Sequence, residues 1–122
     1  MADELILIVD DNAHNVKLAR DILRFAGFRT IEAGGGGEGV ALAAEYIPDL
    51  VLMDIRMRDM DGTAALRLLR ADARTARIPV VALTSSTMKG DRERFLAEGF
   101  DGYLEKPISV REFPEQVRSH LA

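Results

Sequence analysis

The sequence predicts an open, doubly wound α/β fold, a five-stranded parallel sheet covered by helices on both faces. Short runs of β-branched and other apolar residues recur without polar alternation, which is how strands buried on both faces read. Between them lie stretches whose apolar residues fall at helical spacing and which stop at glycine or before proline. The 122 residues hold five such strand–helix units, one domain's worth and too few to close an eight-stranded barrel.

The first run, Leu5-Ile-Leu-Ile-Val9, is a strand, and residues 13–26 follow as a helix with Val16, Ala19, Ile22, Leu23 and Ala26 on one face and Gly27 behind it. Residues 28–33 make the second strand, and a helix over 38–46 ends before Pro48. The third strand is 50–53 and its helix about 63–71; the fourth strand is 80–83, followed by a helix of about 89–98 with Gly99 behind it. A short strand at 102–104 and a last helix from about residue 110 complete the alternation. Parallel strands need crossover helices, and right-handed crossovers put those helices on both faces of one sheet.

Composition narrows the function classes. Without a cysteine there is no disulfide framework and no thiolate metal site. With 20 acidic against 16 basic residues, a formal charge of −4, the chain lacks the basic surface that phosphate-backbone binding needs, so no direct contact with DNA is expected. The acidic start and the short first apolar run argue against a signal peptide or membrane span, and a cytoplasmic protein is expected.

In such a sheet, ligands bind beyond the carboxyl ends of the strands. Strand one ends in Asp10-Asp11, strand three in Asp54, strand four in Thr84-Ser85-Ser86 and strand five in Lys106-Pro107. Singly, each has a bland reading as a helix cap, a turn residue or a solvated charge. Together they bring three carboxylates, a hydroxyl and an ammonium to one edge. Two carboxylates about 4 Å apart repel by about 4 kcal/mol at an effective dielectric near 20, so the cluster calls for a cation. Oxygen-only ligation points to Mg²⁺, whose remaining coordination positions suit phosphoryl oxygens. Lys106 and Thr84 would then meet phosphoryl charge from the other side, and Asp54, on the strand expected to be central, is the candidate covalent acceptor.

The segments LIVDDNAHN, DLVLMDIRMRDMDG, IPVVALTSS and GYLEKPIS, in this order and spacing, resemble the receiver domain of two-component response regulators over essentially the whole chain. The stretch Met88-Lys-Gly-Asp91 and the ending KPIS are similar to the single-domain, DivK-like group, and also to receivers of hybrid histidine kinases, which is the alternative reading. The resemblance implies a flavodoxin-like, CheY-like (βα)5 fold and a single receiver domain without an output domain. It implies that Asp54 takes a phosphoryl group from a histidine kinase or histidine phosphotransfer protein, catalysing only its own phosphorylation and dephosphorylation. Asp11 would bind Mg²⁺ directly, Asp10 through water, with Asp54 and the backbone carbonyl of Arg56 completing the protein ligands. Thr84 and Lys106 would engage the phosphoryl group, and Tyr103 would move with Thr84 on activation. A downstream signalling protein would read the face of the fourth helix, fifth strand and fifth helix, and the protein would be a monomer or weak dimer. The bond before Pro107 would be cis. Arg58 departs from the proline that commonly follows Met57 in the family, and Ser85 stands where alanine is common.

A competing signal is Gly34-x-Gly36-x-x-Gly39, which follows a strand, precedes a helix and carries dinucleotide-binding spacing. That reading makes the chain an oxidoreductase and leaves Asp10, Asp11, Thr84 and Lys106 without a role; a phosphohydrolase using Asp54 would lack the Asp-x-Asp pairing of haloacid-dehalogenase-type phosphatases. Four consecutive glycines read instead as a flexible surface loop. His14 and His120 are expected in solvated or capping roles, Met53, Met57 and Met60 in packing, and the charged run Asp91 to Arg94 on a solvated helix face.

Overall fold

A computed structural model describes residues 3–85 and 90–121. Its elements alternate as β1 (Leu5–Val9), α1 (Ala13–Phe25), β2 (Arg29–Ala33), α2 (Gly36–Tyr46), β3 (Leu50–Asp54), α3 (Gly62–Ala71), β4 (Val80–Thr84), α4 (Asp91–Glu98), β5 (Gly102–Glu105) and α5 (Phe113–Ser119). The strands form one sheet in the order β2-β1-β3-β4-β5, and every neighbouring pair is parallel. The chain therefore winds one way from β1 to β2 and the other way from β3 onward. The connections leave the paired strands β1 and β3 for opposite faces of the sheet, which opens a crevice beyond their carboxyl ends, and Asp10 and Asp54 flank it.

Because successive strand residues face opposite ways, each apolar run supplies two cores. Leu7, Val9, Val51, Met53, Val80 and Ala82 face α2, α3 and α4 through Ala43, Ala65, Leu66, Leu69 and Phe95. Ile6, Ile8, Leu50, Leu52, Val81 and Leu83 face α1 and α5 through Ala19, Ile22, Leu23, Phe113 and Val117. Each such fully buried aliphatic side chain contributes about 2 kcal/mol of transfer free energy, so the strands that carry the site residues are anchored in the core. Met53 is in this core, and Met57 and Met60 pack against it. Among the described residues no helix is long and apolar enough to cross a membrane.

Several expectations differ from the structure. α2 begins at Gly36, so the glycine run is not a loop throughout: Gly36 and Gly39 are buried helix residues. α5 begins at Phe113 rather than near Val110, with Pro114 in its first turn, where a missing N–H costs nothing. The described part of α4 begins at Asp91, after Gly90 at φ +91°, while Ser86, Met88 and Lys89 lie outside the described residues. Asp91 is buried rather than on a solvated face. His14 is exposed, and His120 follows α5 with its ring against the backbone of Gly102, where an added Cβ would clash with it.

Candidate functional site

The carboxyl edge of the sheet gathers the predicted side chains. Asp54 is the last residue of β3 and Asp10 follows β1; they are 7% and 2% exposed, buried for carboxylates. One oxygen each from Asp10, Asp11 and Asp54 lies within 4.8 Å of the others. Lys106 is brought over them because its backbone N–H donates to the Thr84 carbonyl at 2.8 Å, extending the β4–β5 ladder past Glu105. Its Nζ then donates to Asp10 Oδ2 at 2.8 Å and to Asp54 Oδ1 at 3.0 Å. The peptide bond after it, to Pro107, is cis as expected.

Local capping aims the acidic pair. Asn12 is the N-cap of α1, its side chain accepting from the N–H groups of His14 and Asn15, while its own N–H donates to Asp10 Oδ1 at 2.9 Å. Asp10 is thus held through one oxygen by Asn12 and through the other by Lys106. Asp11, half-buried, turns to the opposite loop and accepts the Arg58 backbone N–H on Oδ2 at 2.8 Å. Beyond Asp54 the chain is pinned by Ile55 N–H donating to Leu83 and by Gly62 N–H donating to Ile55.

Burial raises the Asp54 carboxyl above its usual range; the Lys106 ammonium opposes this and the Asp10 charge adds to it, leaving the shift upward. Lys106 is pulled down by burial but pushed up more by its hydrogen bonds to Asp10 and Asp54, so it stays charged. The result is one ammonium shared by two buried carboxylates, with a third beside them. Three oxygen donors around one point, two excess negative charges when all three carboxylates are ionised, and no nitrogen or sulfur ligand fit a hard divalent cation of the Mg²⁺ type.

Thr84, buried, ends the strand hydrogen-bonded to that of Asp54. Arg56 is exposed in the loop two residues past Asp54. Tyr103 lies on β5, away from the carboxylates, its half-buried ring stacked on Phe95 with centroids 5.7 Å apart. The acidic triad and Lys106 therefore converge directly, Thr84 borders them, and Tyr103 lies on the side facing α4.

The glycine segment has a different explanation from either expectation. The N–H groups of Gly36 and Gly37, which a pyrophosphate would need, donate to the Asp59 carboxylate at 3.0 and 2.9 Å, and Gly34 N–H donates to Glu38 at 2.7 Å. The anion at this helix N-terminus is the protein's own. A Cβ on Gly36 would fall 2.5 Å from Met60 Cγ, and one on Gly39 2.8 Å from Val9 Cγ2, so these glycines allow α2 to lie close to the sheet and the loop after β3. Sequence reasoning missed Asp59 altogether and gave Asn12 no role, although Asn directly before a helical pattern is an N-cap signal.

Asp59 yields a prediction with a sign. The Gly37 and Gly36 N–H groups hold its carboxyl below the usual range. A depressed folded value means stability that is present above the ordinary 3.8 and lost as pH falls through the folded value. Asp59→Ala should therefore melt below wild type at neutral pH, and the two melting curves should converge in acid below 3.8. NADH should show no saturable binding in a fluorescence titration of wild type.

Comparison with known proteins agrees with this arrangement. The model of the response regulator receiver domain family matches residues 6–118. The polar-differentiation response regulator DivK of Brucella ovis is 42% identical over 116 residues, covering 95% of this chain and 94% of that protein. The receiver domain of the sensor histidine kinase PA1611 from Pseudomonas aeruginosa, solved with a magnesium ion coordinated in its active site cleft, superposes with a TM-score of 0.88 at 34% identity, covering 98% of each chain. The chemotaxis protein CheY4 of Vibrio cholerae superposes with a TM-score of 0.91 at 25% identity, covering 98% of this chain and 100% of that one.

Proposed function

The chain belongs to the response regulator receiver domain family, a phosphorylation-activated signalling module, and from that premise we propose that Asp54 is its phosphoryl acceptor. The observation that carries this reading is the convergence of Asp10, Asp11, Asp54 and Lys106 on one crevice, with a carboxylate oxygen at the end of the central strand. Transfer breaks the N–P bond of a phosphohistidine on a kinase or phosphotransfer protein, forms a P–O bond to an Asp54 oxygen, and leaves the electron pair on the departing imidazole nitrogen, the histidine leaving as a neutral imidazole whose other ring nitrogen keeps its proton. Asp11, Asp54 and the Arg56 carbonyl would hold Mg²⁺, with Asp10 assisting through water, and the bound ion would supply positive charge to the phosphoryl oxygens. Lys106, at hydrogen-bonding distance from Asp54, turns its ammonium to the incoming phosphoryl charge, and the Thr84 hydroxyl donates to a phosphoryl oxygen.

The test is intact mass after incubation with acetyl phosphate and Mg²⁺. Wild type should gain one acid-labile phosphoryl group and Asp54→Asn none, because an amide is a poor nucleophile. Full modification of the Asn variant would assign the acceptor elsewhere.

The output follows from the added charge, about −1.5 to −2, at the sheet edge. Thr84 moves toward the phosphoryl group and Tyr103 turns from its place on Phe95 into the space released, altering the α4–β5–α5 face. That face carries an open groove of about 830 Å³ whose lining includes Tyr103, Arg92, Glu93, Glu105 and Glu112. Thr84→Ala should still accept phosphate yet signal poorly. Amide-resolved NMR with beryllofluoride should show shifts at Tyr103 and α4 in wild type; shifts confined to the Asp54 crevice would refute the switch.

A further inference from the structure

We propose that Arg58 is a latch on the cation site, holding Asp11 in the metal-free protein and setting how tightly Mg²⁺ binds. The proposal rests on the reading of Asp11 as a metal ligand. Its basis is one carboxylate oxygen with two donors from one residue. Asp11 Oδ2 accepts the Arg58 backbone N–H at 2.8 Å, and the Arg58 Nε lies 3.6 Å from the same oxygen. The two contributions differ physically. The guanidinium is 91% exposed, so its attraction is weak and screened by salt. The N–H bond to a carboxylate 20% exposed is the stronger, because hydrogen bonds to charged groups exceed neutral ones and screening reaches them less.

A proline at this position would have no N–H and could make neither contact. A cation approaching Asp11 meets an oxygen whose negative charge is already shared, and the Arg58 side chain repels it. The loop is also tied down on its other side, since the next residue, Asp59, caps α2 through Gly36 and Gly37. Drawing Asp11 away from Arg58 therefore releases the anchor that ties the segment between β3 and α3 to the end of β1, which couples cation binding to the position of that loop.

The experiment is a calorimetric Mg²⁺ titration of wild type, Arg58→Ala, Arg58→Pro and Asp11→Asn at low and high salt, alongside amide hydrogen exchange of the metal-free proteins by NMR. Arg58→Ala keeps the N–H and loses the guanidinium: affinity should rise about twofold at low salt and match wild type at high salt. Arg58→Pro loses both and should bind about three- to tenfold tighter at either salt. Without metal, the Arg58 amide should be protected in wild type and Arg58→Ala and exchange faster in Asp11→Asn, whose neutral amide oxygen is a weaker acceptor than the carboxylate. Equal Mg²⁺ affinity in wild type and both Arg58 variants, with Asp11→Asn weakened, overturns the latch and leaves Asp11 as ligand. Equal affinity in wild type and Asp11→Asn overturns the metal role of Asp11 and the latch with it. An unprotected Arg58 amide in metal-free wild type overturns the latch whatever the metal affinities.

Discussion

Gly62→Ala should destabilise the protein by about 3 kcal/mol, at the upper end of overpacking costs, and lower its melting temperature by about 10 °C. Gly62 opens α3 just after Asp61, whose side chain caps the helix by accepting from Ala64 N–H. Its own N–H donates to Ile55 at 2.7 Å, which presses the helix start against the end of β3. A Cβ there would stand 2.5 Å from the Asp54 carbonyl oxygen and 3.0 Å from Ile55 Cα. Both obstacles are backbone, so no side chain can swing aside; either the helix backs off and loses the Ile55 hydrogen bond or β3 shifts. The second route moves Asp54 itself, and phosphorylation by acetyl phosphate should slow along with the loss of stability. Gly34→Ala is the control: its Cβ would meet only Glu38 Oε1 at 3.7 Å, an ordinary contact, and denaturation should scarcely distinguish it from wild type. A Gly62→Ala midpoint equal to that of Gly34→Ala would mean that the approach of α3 to β3 is not tight.

The strands were legible because burial on both faces leaves an unbroken apolar run, and Leu5–Val9 was read to the residue. The site was legible for a related reason: in a parallel sheet all strands end at one edge, so the polar residues behind Val9, Met53, Leu83 and Glu105 had to meet. What stayed hidden depends on partners far along the chain. Gly36 and Gly39 look like loop residues locally, and only the nearness of Met60 and Val9 makes their missing side chains a packing requirement within a helix. Asp59 caps a helix 22 and 23 residues before it, which no local cap signal reveals. Arg58 was visible as a departure from proline, but its hydrogen bond to Asp11 spans 47 residues and follows only from the sheet order that sets β1 beside β3.

Lys106→Met should cost about 3 kcal/mol at neutral pH, because removing one partner of a buried ion pair leaves the other charge uncompensated, and here it leaves two. Lys106 is 14% exposed at its side chain, against 2% for Asp10 and 9% for Asp54, so water cannot take over the ammonium's role. Methionine has nearly the same volume, so the loss reads charge rather than packing. The pH dependence follows from Asp54. Its folded value is already raised above 3.8 by burial, so the native state binds a proton more readily than the unfolded chain, and stability falls as pH rises through that window. Without Lys106 the folded value rises further and the window widens upward, so the deficit of Lys106→Met should be largest at neutral pH and shrink as acid protonates Asp54. Asp10→Asn, which removes the second charge, should recover much of the loss in the double variant while being harmful alone, a non-additivity that a double-mutant cycle measures directly. Mg²⁺ should stabilise the Lys106→Met variant more than wild type, since a divalent cation then has no competing ammonium beside Asp10 and Asp54. Urea denaturation of the four proteins with and without Mg²⁺, at neutral and acid pH, checks each step. Additive Lys106 and Asp10 effects, or a deficit that does not change with pH, would show that Lys106 is not the charge that holds this crevice together.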